Sequence, residues 1–207
     1  EWNGTELVNE EELLTLPGAQ IHNGSRLLWL PDNTLLMTTG DAAEPDNSQD
    51  LGSLNGKILR LNPDGTIPED NPFGESYVYT WGNRNAQGLC IGPNGRVYAS
   101  EHGQNQDDEF NLVEPGRNYG WPDVQGACNA PSEQAFCDEW DVMEPLKAWT
   151  PCIALNGLEY YTHEAIPEFQ GKIMMGVMSG FNDPLPGRVI VMEMSEDGTA
   201  VVDDEAY

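Results

Sequence analysis

His22 stands in IHNGSRLLWLPD, just ahead of an apolar run, and Asp41 closes the downstream stretch TTGD. A neutral imidazole is the natural general base for taking a proton from an alcohol near physiological pH. If these two stretches form a hairpin of short register, the Asp41 carboxylate comes toward His22 and orients its ring. A second cluster, Arg84, Asn85 and Gln87 in TWGNRNAQGL, offers a planar fork of donors suited to carboxylates, with neutral amide donors and acceptors beside it. A third, SEHGQNQDDEFNL from Ser100 to Leu112, crowds acids behind a glycine. Hard cations such as calcium take carboxylate and backbone carbonyl oxygens, and Gly103 lets carbonyls turn toward an ion. The spacing is not that of an EF-hand.

These residues need a frame that converges them. LLWLPDNTLLMTTGD from Leu27 and LCIGPNGRVYASEHG from Leu89 share one grammar: apolar strand, Pro-containing turn, second strand. KILRLNPDGTIPED from Lys57 and RVIVMEMSEDGTAVVDDE from Arg188 read as strand, Asp-Gly turn, strand. With 22 Gly and 15 Pro punctuating short apolar runs, helix has little room beyond a short one around Glu10 to Leu16. The fold class is all-β. Related hairpins recurring every several tens of residues favour a β-propeller over a sandwich. In a propeller, loops from successive blades meet at one end of the channel, so residues distant in sequence share a site.

Nine Lys and Arg against 35 Asp and Glu leave a net charge of −26, which repels nucleic-acid phosphates and anionic membranes. The acids are spread along the chain, which suits a solvated surface in salty surroundings or one meeting divalent cations. No apolar run reaches membrane-spanning length, and EWNGTELVNEEELL lacks the basic and apolar regions of a signal peptide. None of Cys90, Cys128, Cys137 and Cys152 forms a C-x-x-C pair, so disulfides are the expected use. Cys128 and Cys137 bracket a polar, Pro-containing loop that a bridge would restrain, and a secreted or periplasmic location follows. Residues 1–207 are read as one domain.

Taken in order, HNGSR, TTGD, GKILRLNPDGTIPEDNPF, WGNRNAQGL, SEHGQNQDDEFNL and GRNYGWPDVQG resemble the soluble quinoprotein glucose, aldose sugar and sorbosone dehydrogenases. The resemblance runs from about His22 to the last hairpin. It implies a six-bladed β-propeller carrying pyrroloquinoline quinone (PQQ) and calcium, in which this chain supplies the central blades. It implies oxidation of the C1 hydroxyl of an aldose to a lactone, with His22 as base, Asp41 as its support, hydride passing to the quinone and an external electron acceptor reoxidising it. By the same resemblance Arg84, Asn85 and Gln87 contact PQQ. The carbonyls of Gly103 and Gln104 hold its calcium, although relatives commonly have Pro at the Gln104 position. Asp108, Glu109 and Tyr119 match ligands of a second, structural calcium. Family members carry blades before the His motif and a segment after the final hairpin, so missing segments or a second chain are expected to complete the ring. The competing reading is a non-catalytic, calcium-stabilised extracellular propeller serving as a binding or structural module.

Overall fold

Runs of Leu, Met, β-branched and aromatic residues alternate with Pro, Gly and Asn turns, so the readiest partner of each strand is its neighbour in sequence. The computed structural model describes residues 2–179 and 185–207, and these contain twelve strands in three antiparallel four-stranded sheets. The first sheet is β1 (Leu27–Trp29), β2 (Leu35–Thr39), β3 (Lys57–Leu61) and β4 (Val78–Trp81). The second is β5 (Ala86–Ile91), β6 (Val97–Glu101), β7 (Asp108–Val113) and β8 (Lys147–Trp149). The third is β9 (Leu155–Tyr161), β10 (Lys172–Val177), β11 (Arg188–Met194) and β12 (Val201–Ala206).

Strand order within each sheet is the order along the chain. The first strands of neighbouring sheets touch, β1 with β5 and β5 with β9. Meanders arranged radially about their first strands are blades, and the chain forms part of a β-propeller.

Two apolar layers hold the blades face to face. Leu36 and Ile58 of the first sheet meet Leu89, Ala99 and Val113 of the second. Tyr98, Phe110 and Leu112 of the second meet Leu155, Ile173 and Met175 of the third, with the Tyr98 and Phe110 rings stacked 5.3 Å apart. Each such fully buried side chain stabilises the packing by about 1.5–3 kcal/mol. A polar clasp joins the second and third sheets at the end opposite the starts of strands β5 and β9. Asn94 Nδ2, Arg96 Nε and the Tyr98 hydroxyl donate to the carbonyls of Glu196, Asp197 and Gly198 at 2.5, 2.6 and 2.7 Å. These carbonyls belong to the tight turn between β11 and β12.

Three of the four hairpins read from the sequence form, including Leu27↔Met37 and Ile91↔Val97. The fourth differs: after the turn at Asp64–Gly65 no strand follows, and β3 pairs instead with β2 and β4. Pro68 and Pro72 deny that stretch the N–H groups a ladder needs. No helix forms over Glu10–Leu16. Pro17 biases Leu16 away from helical backbone, and the segment has no regular secondary structure, with Leu14 packed on Leu59, Val78 and Trp81.

The one α-helix among the described residues, α1 (Pro131–Trp140), instead occupies the stretch expected to be a loop. Pro131 sits in its first turn, Glu133 Oε2 accepts the Ala130 N–H at 2.9 Å, and the Cys128–Cys137 disulfide ties its middle to the preceding turn. Cys90 and Cys152 are free thiols, so disulfide formation is limited to that one bridge. No helix among the described residues is long and apolar enough to cross a membrane.

Candidate active site

The turns at one end of the three blades enclose a cavity of about 490 Å³. His22 and Arg84 line one side, Gly103, Gln104 and Asn105 another, and Cys152, Ala154 and Met178 come from the third blade.

His22 precedes β1 and adopts a left-handed backbone, φ 58°. Such a conformation is uncommon for a residue with a side chain and is tolerated where surrounding contacts impose it. Here the His22 carbonyl accepts the Ala42 N–H at 3.1 Å. The β1–β2 register brings the end of β2 back beside it. His22 Nδ1 lies 2.8 Å from Asp41 Oδ1, and the Asp41 side chain is only 1% exposed. An anionic carboxylate there makes Nδ1 the donor, which leaves the Nε2 lone pair free to accept. Arg84 Nη2 approaches Nε2 at 3.1 Å from the cavity side.

Arg84 lies between β4 and β5. Its Nη1 donates to the His102 carbonyl at 3.1 Å, and its guanidinium sits 5.2 Å above the ring of Trp121. Burial lowers its pKa from the usual arginine value, with Asp41 and Glu101 pulling the other way. Its Nε is buried without a hydrogen-bond partner. A buried, incompletely satisfied guanidinium facing a cavity is a receptor for an anion.

Glu101, at the end of β6, fixes this loop. Its carboxylate accepts N–H groups from Arg84 and Asn85 and the Asn83 side-chain amide, the last two at 3.0 Å. Asn85 and Gln87 are not among the residues lining the cavity. Asn85 Oδ1 accepts the Gly24 N–H at 3.1 Å and Gln87 Nε2 at 2.9 Å, so both brace the loop behind His22.

Gly103 opens a tight turn in which an added Cβ would stand 2.0 Å from the Gln106 carbonyl oxygen. Asp108 pins that turn, accepting the N–H groups of Gly103, Ile153 and Ala154 at 2.7–2.8 Å. Its carboxylate is thereby committed to backbone donors. Glu109, the next residue of β7, points to the opposite sheet face beside its cross-strand partner Glu101. It borders a cleft of about 10 Å³ with Glu101, Asp107 and Tyr119. Burial first, then the charge of Glu101, pushes the Glu109 carboxyl up to about 8. The expected set of Asp108, Glu109 and Tyr119 is therefore split, with Asp108 turned away from the other two. Among the described residues no three His, Cys, Asp or Glu side chains converge to hold a metal, so any cation here leans on carbonyl oxygens.

Sequence reasoning missed Glu101, His102, Trp121 and Cys152. Glu101 stands inside SEHGQNQDDEFNL, where nothing local gives it a role of its own. Cys152 lines the cavity, and burial followed by the neighbouring Asp108 pushes its thiol up to about 12. The GRNYGWPDVQG stretch carries Trp121, whose part depends on a contact with Asp41 across 80 positions that no local pattern encodes.

A histidine held by a buried carboxylate beside a buried guanidinium, at one end of the blades of a partial propeller, defines a polar propeller site able to accept a proton and to meet an anion. The chain belongs to the Glucose / Sorbosone dehydrogenase family, which it matches over residues 3–206. It is 40% identical over 136 residues to quinoprotein glucose dehydrogenase B of Acinetobacter calcoaceticus, covering 55% of this chain and 28% of that protein. It is 29% identical over 192 residues to aldose sugar dehydrogenase YliI of Escherichia coli strain K12, covering 88% and 52%. The PQQ-bound aldose sugar dehydrogenase of Streptomyces coelicolor superposes with a TM-score of 0.77 at 34% identity, over 93% of this chain and 51% of that one. The chain thus spans about half the length, or less, of these relatives.

Proposed function

We propose that this chain carries the base-bearing part of a PQQ- and calcium-dependent dehydrogenase that oxidises the C1 hydroxyl of aldose sugars to lactones. One observation carries the reading: His22 presents Nε2 beside Arg84 at a cavity wall while Asp41 holds the other ring nitrogen. The family and the PQQ-bound relative support it.

The residues present suit the cofactor. The cavity-lining guanidinium of Arg84 is matched to a carboxylate of PQQ, and the turn at Gly103 and Gln104 is matched to calcium through its carbonyls. When bound, PQQ supplies the two-electron oxidant and calcium the Lewis acid, with an external acceptor removing the electrons afterwards. Once Arg84 turns its Nη2 from His22 Nε2 to the bound anion, His22 takes the hydroxyl proton at Nε2, and Asp41 stabilises the imidazolium that results. Asn85 and Gln87 keep the His22 loop in place. Glu109 and the Tyr119 carbonyl are the proposed seat of the structural calcium, the Glu101 carboxylate beside them being held by its three N–H donors.

Reconstitution of the purified protein with PQQ and calcium, with dye reduction followed on addition of glucose or other aldoses, tests the reading. Turnover that His22→Ala abolishes supports it. Stoichiometric cofactor binding without turnover on any aldose would remove the catalytic assignment and leave a binding module.

A further inference from the structure

We infer that Trp121 is a positioning residue for the His22 base: its indole N–H fixes Asp41 while its ring face carries Arg84. The inference rests on the dehydrogenase reading for its catalytic meaning, although the contacts stand independently of it. Asp41 Oδ1 accepts both His22 Nδ1–H and the Ala43 N–H at 2.8 Å, and Oδ2 accepts Trp121 Nε1–H at 3.0 Å. Donors on both oxygens stop the carboxylate rotating about its own axis, and so hold the oxygen that selects the His22 tautomer. Without the indole, Oδ2 is a buried acceptor stripped of this donor.

The same ring lies 5.2 Å beneath the guanidinium that faces His22 Nε2, within the range of a cation–π contact. One side chain therefore supports the groups on both nitrogens of the base. Trp121 is itself 7% exposed and does not line the main cavity, so it acts through Asp41 and Arg84 and not on a substrate. Its backbone is anchored separately, the N–H to the Gly82 carbonyl at 3.0 Å and the carbonyl to Gln49 Nε2 at 2.6 Å. A change of side chain leaves those ties intact.

Two substitutions separate the contributions. Trp121→Phe keeps a ring under Arg84 and removes the donor; Trp121→Leu removes both. Nitrogen-15 NMR of the histidine rings in the purified protein is expected to show His22 as the Nδ1–H tautomer. In Trp121→Phe that proton exchanges about tenfold faster, the equivalent of one lost hydrogen bond. In an actively reconstituted enzyme, Trp121→Phe lowers kcat by about 10–100-fold with little change in KM, as removal of an outer supporting partner does. Trp121→Leu in addition weakens PQQ binding. An unchanged His22 signal in a folded Trp121→Phe variant overturns the inference. Should that variant not fold, the indole Nε1–H resonance of Trp121 in Asp41→Asn decides instead: it shifts if the contact exists, and a fixed resonance overturns the proposal. Absence of turnover in the unmodified protein counts against the dehydrogenase reading alone, because the NMR readouts need no cofactor.

Discussion

Gly40 passes so close to His22 that a Cβ added there would stand 1.8 Å from the His22 carbonyl oxygen. No side chain fits that gap, so the glycine is what permits the end of β2 to lie against the His22 turn. Gly40→Ala is expected to destabilise the fold by about 1–3 kcal/mol through overpacking. The strain falls on the turn that carries His22, so under the proposed assignment proton abstraction should suffer as well. Thermal unfolding together with sugar-dependent dye reduction measures both.

Asp41→Asn preserves the size of the side chain but turns an acceptor-only group into one that also donates. Its amide can present N–H to His22 Nδ1, favouring the tautomer with the proton on Nε2, where the lone pair is needed. Activity is expected to drop by about 10²–10⁴-fold, as when the carboxylate behind a catalytic histidine is neutralised, while the unfolding midpoint changes far less. Steady-state kinetics beside a thermal melt distinguishes a misdirected base from a misfolded chain.

Arg84→Met removes the cation beside His22 Nε2, and Arg84→Lys keeps the charge without the planar fork. Under the proposed assignment, PQQ affinity falls by about 10–100-fold in the Met variant, the range for losing a hydrogen bond to a charged group. The Lys variant is expected to lie between. Isothermal titration with PQQ reads this without any turnover.

Lys57 lies wholly inside the first blade, its ammonium donating to the carbonyls of Asn47, Ser48 and Asn55 at 2.7, 3.1 and 2.8 Å. Burial, opposed by Asp50, pulls it from 10.5 down to about 8. Between those values the unfolded chain holds the proton more tightly than the folded one, so this group makes stability rise as pH climbs from about 8 to 10.5. Lys57→Met is expected to lose that rise. Near neutrality it should also cost about 2 kcal/mol or more, because buried carbonyls lose their donor. Urea unfolding of both proteins across the interval tests the slope and the offset together.

Much of this frame could be read from residue order, because a meander needs only local information. The stretch from Leu27 to Asp41 states its strand, turn and strand in composition, and strand alternation then sets which side chains share a face. The helix at Pro131–Trp140 was hidden for a physical reason. Its pattern is polar apart from Phe136, Cys137 and Trp140, so the contacts of those three, the Glu133 cap and the disulfide to Cys128 shape it more than a regular amphipathic stripe does. The site was legible where chemistry and hairpin register coincide, as for His22 and Asp41, and where an arginine stands near a glycine turn, as for Arg84. Roles set by distant contacts were not. Nothing local says that the Asp108 carboxylate is spent on three backbone N–H groups while its neighbour Glu109 faces Glu101. Nor does a tryptophan in a turn announce that it closes on a carboxylate from another blade.

The clasp of Asn94, Arg96 and Tyr98 on the β11–β12 turn lies at the end of the blades opposite the cavity, whereas Cys152, Ala154 and Met178 wall the cavity at the other end of the third blade. A blade gripped at one end behaves as a lever with a fixed handle: small rocking there would become a larger swing at the opposite end, where the wall is. Loosening three main-chain-directed contacts at the far end is therefore a route to widening the chamber without altering a single residue that faces its contents.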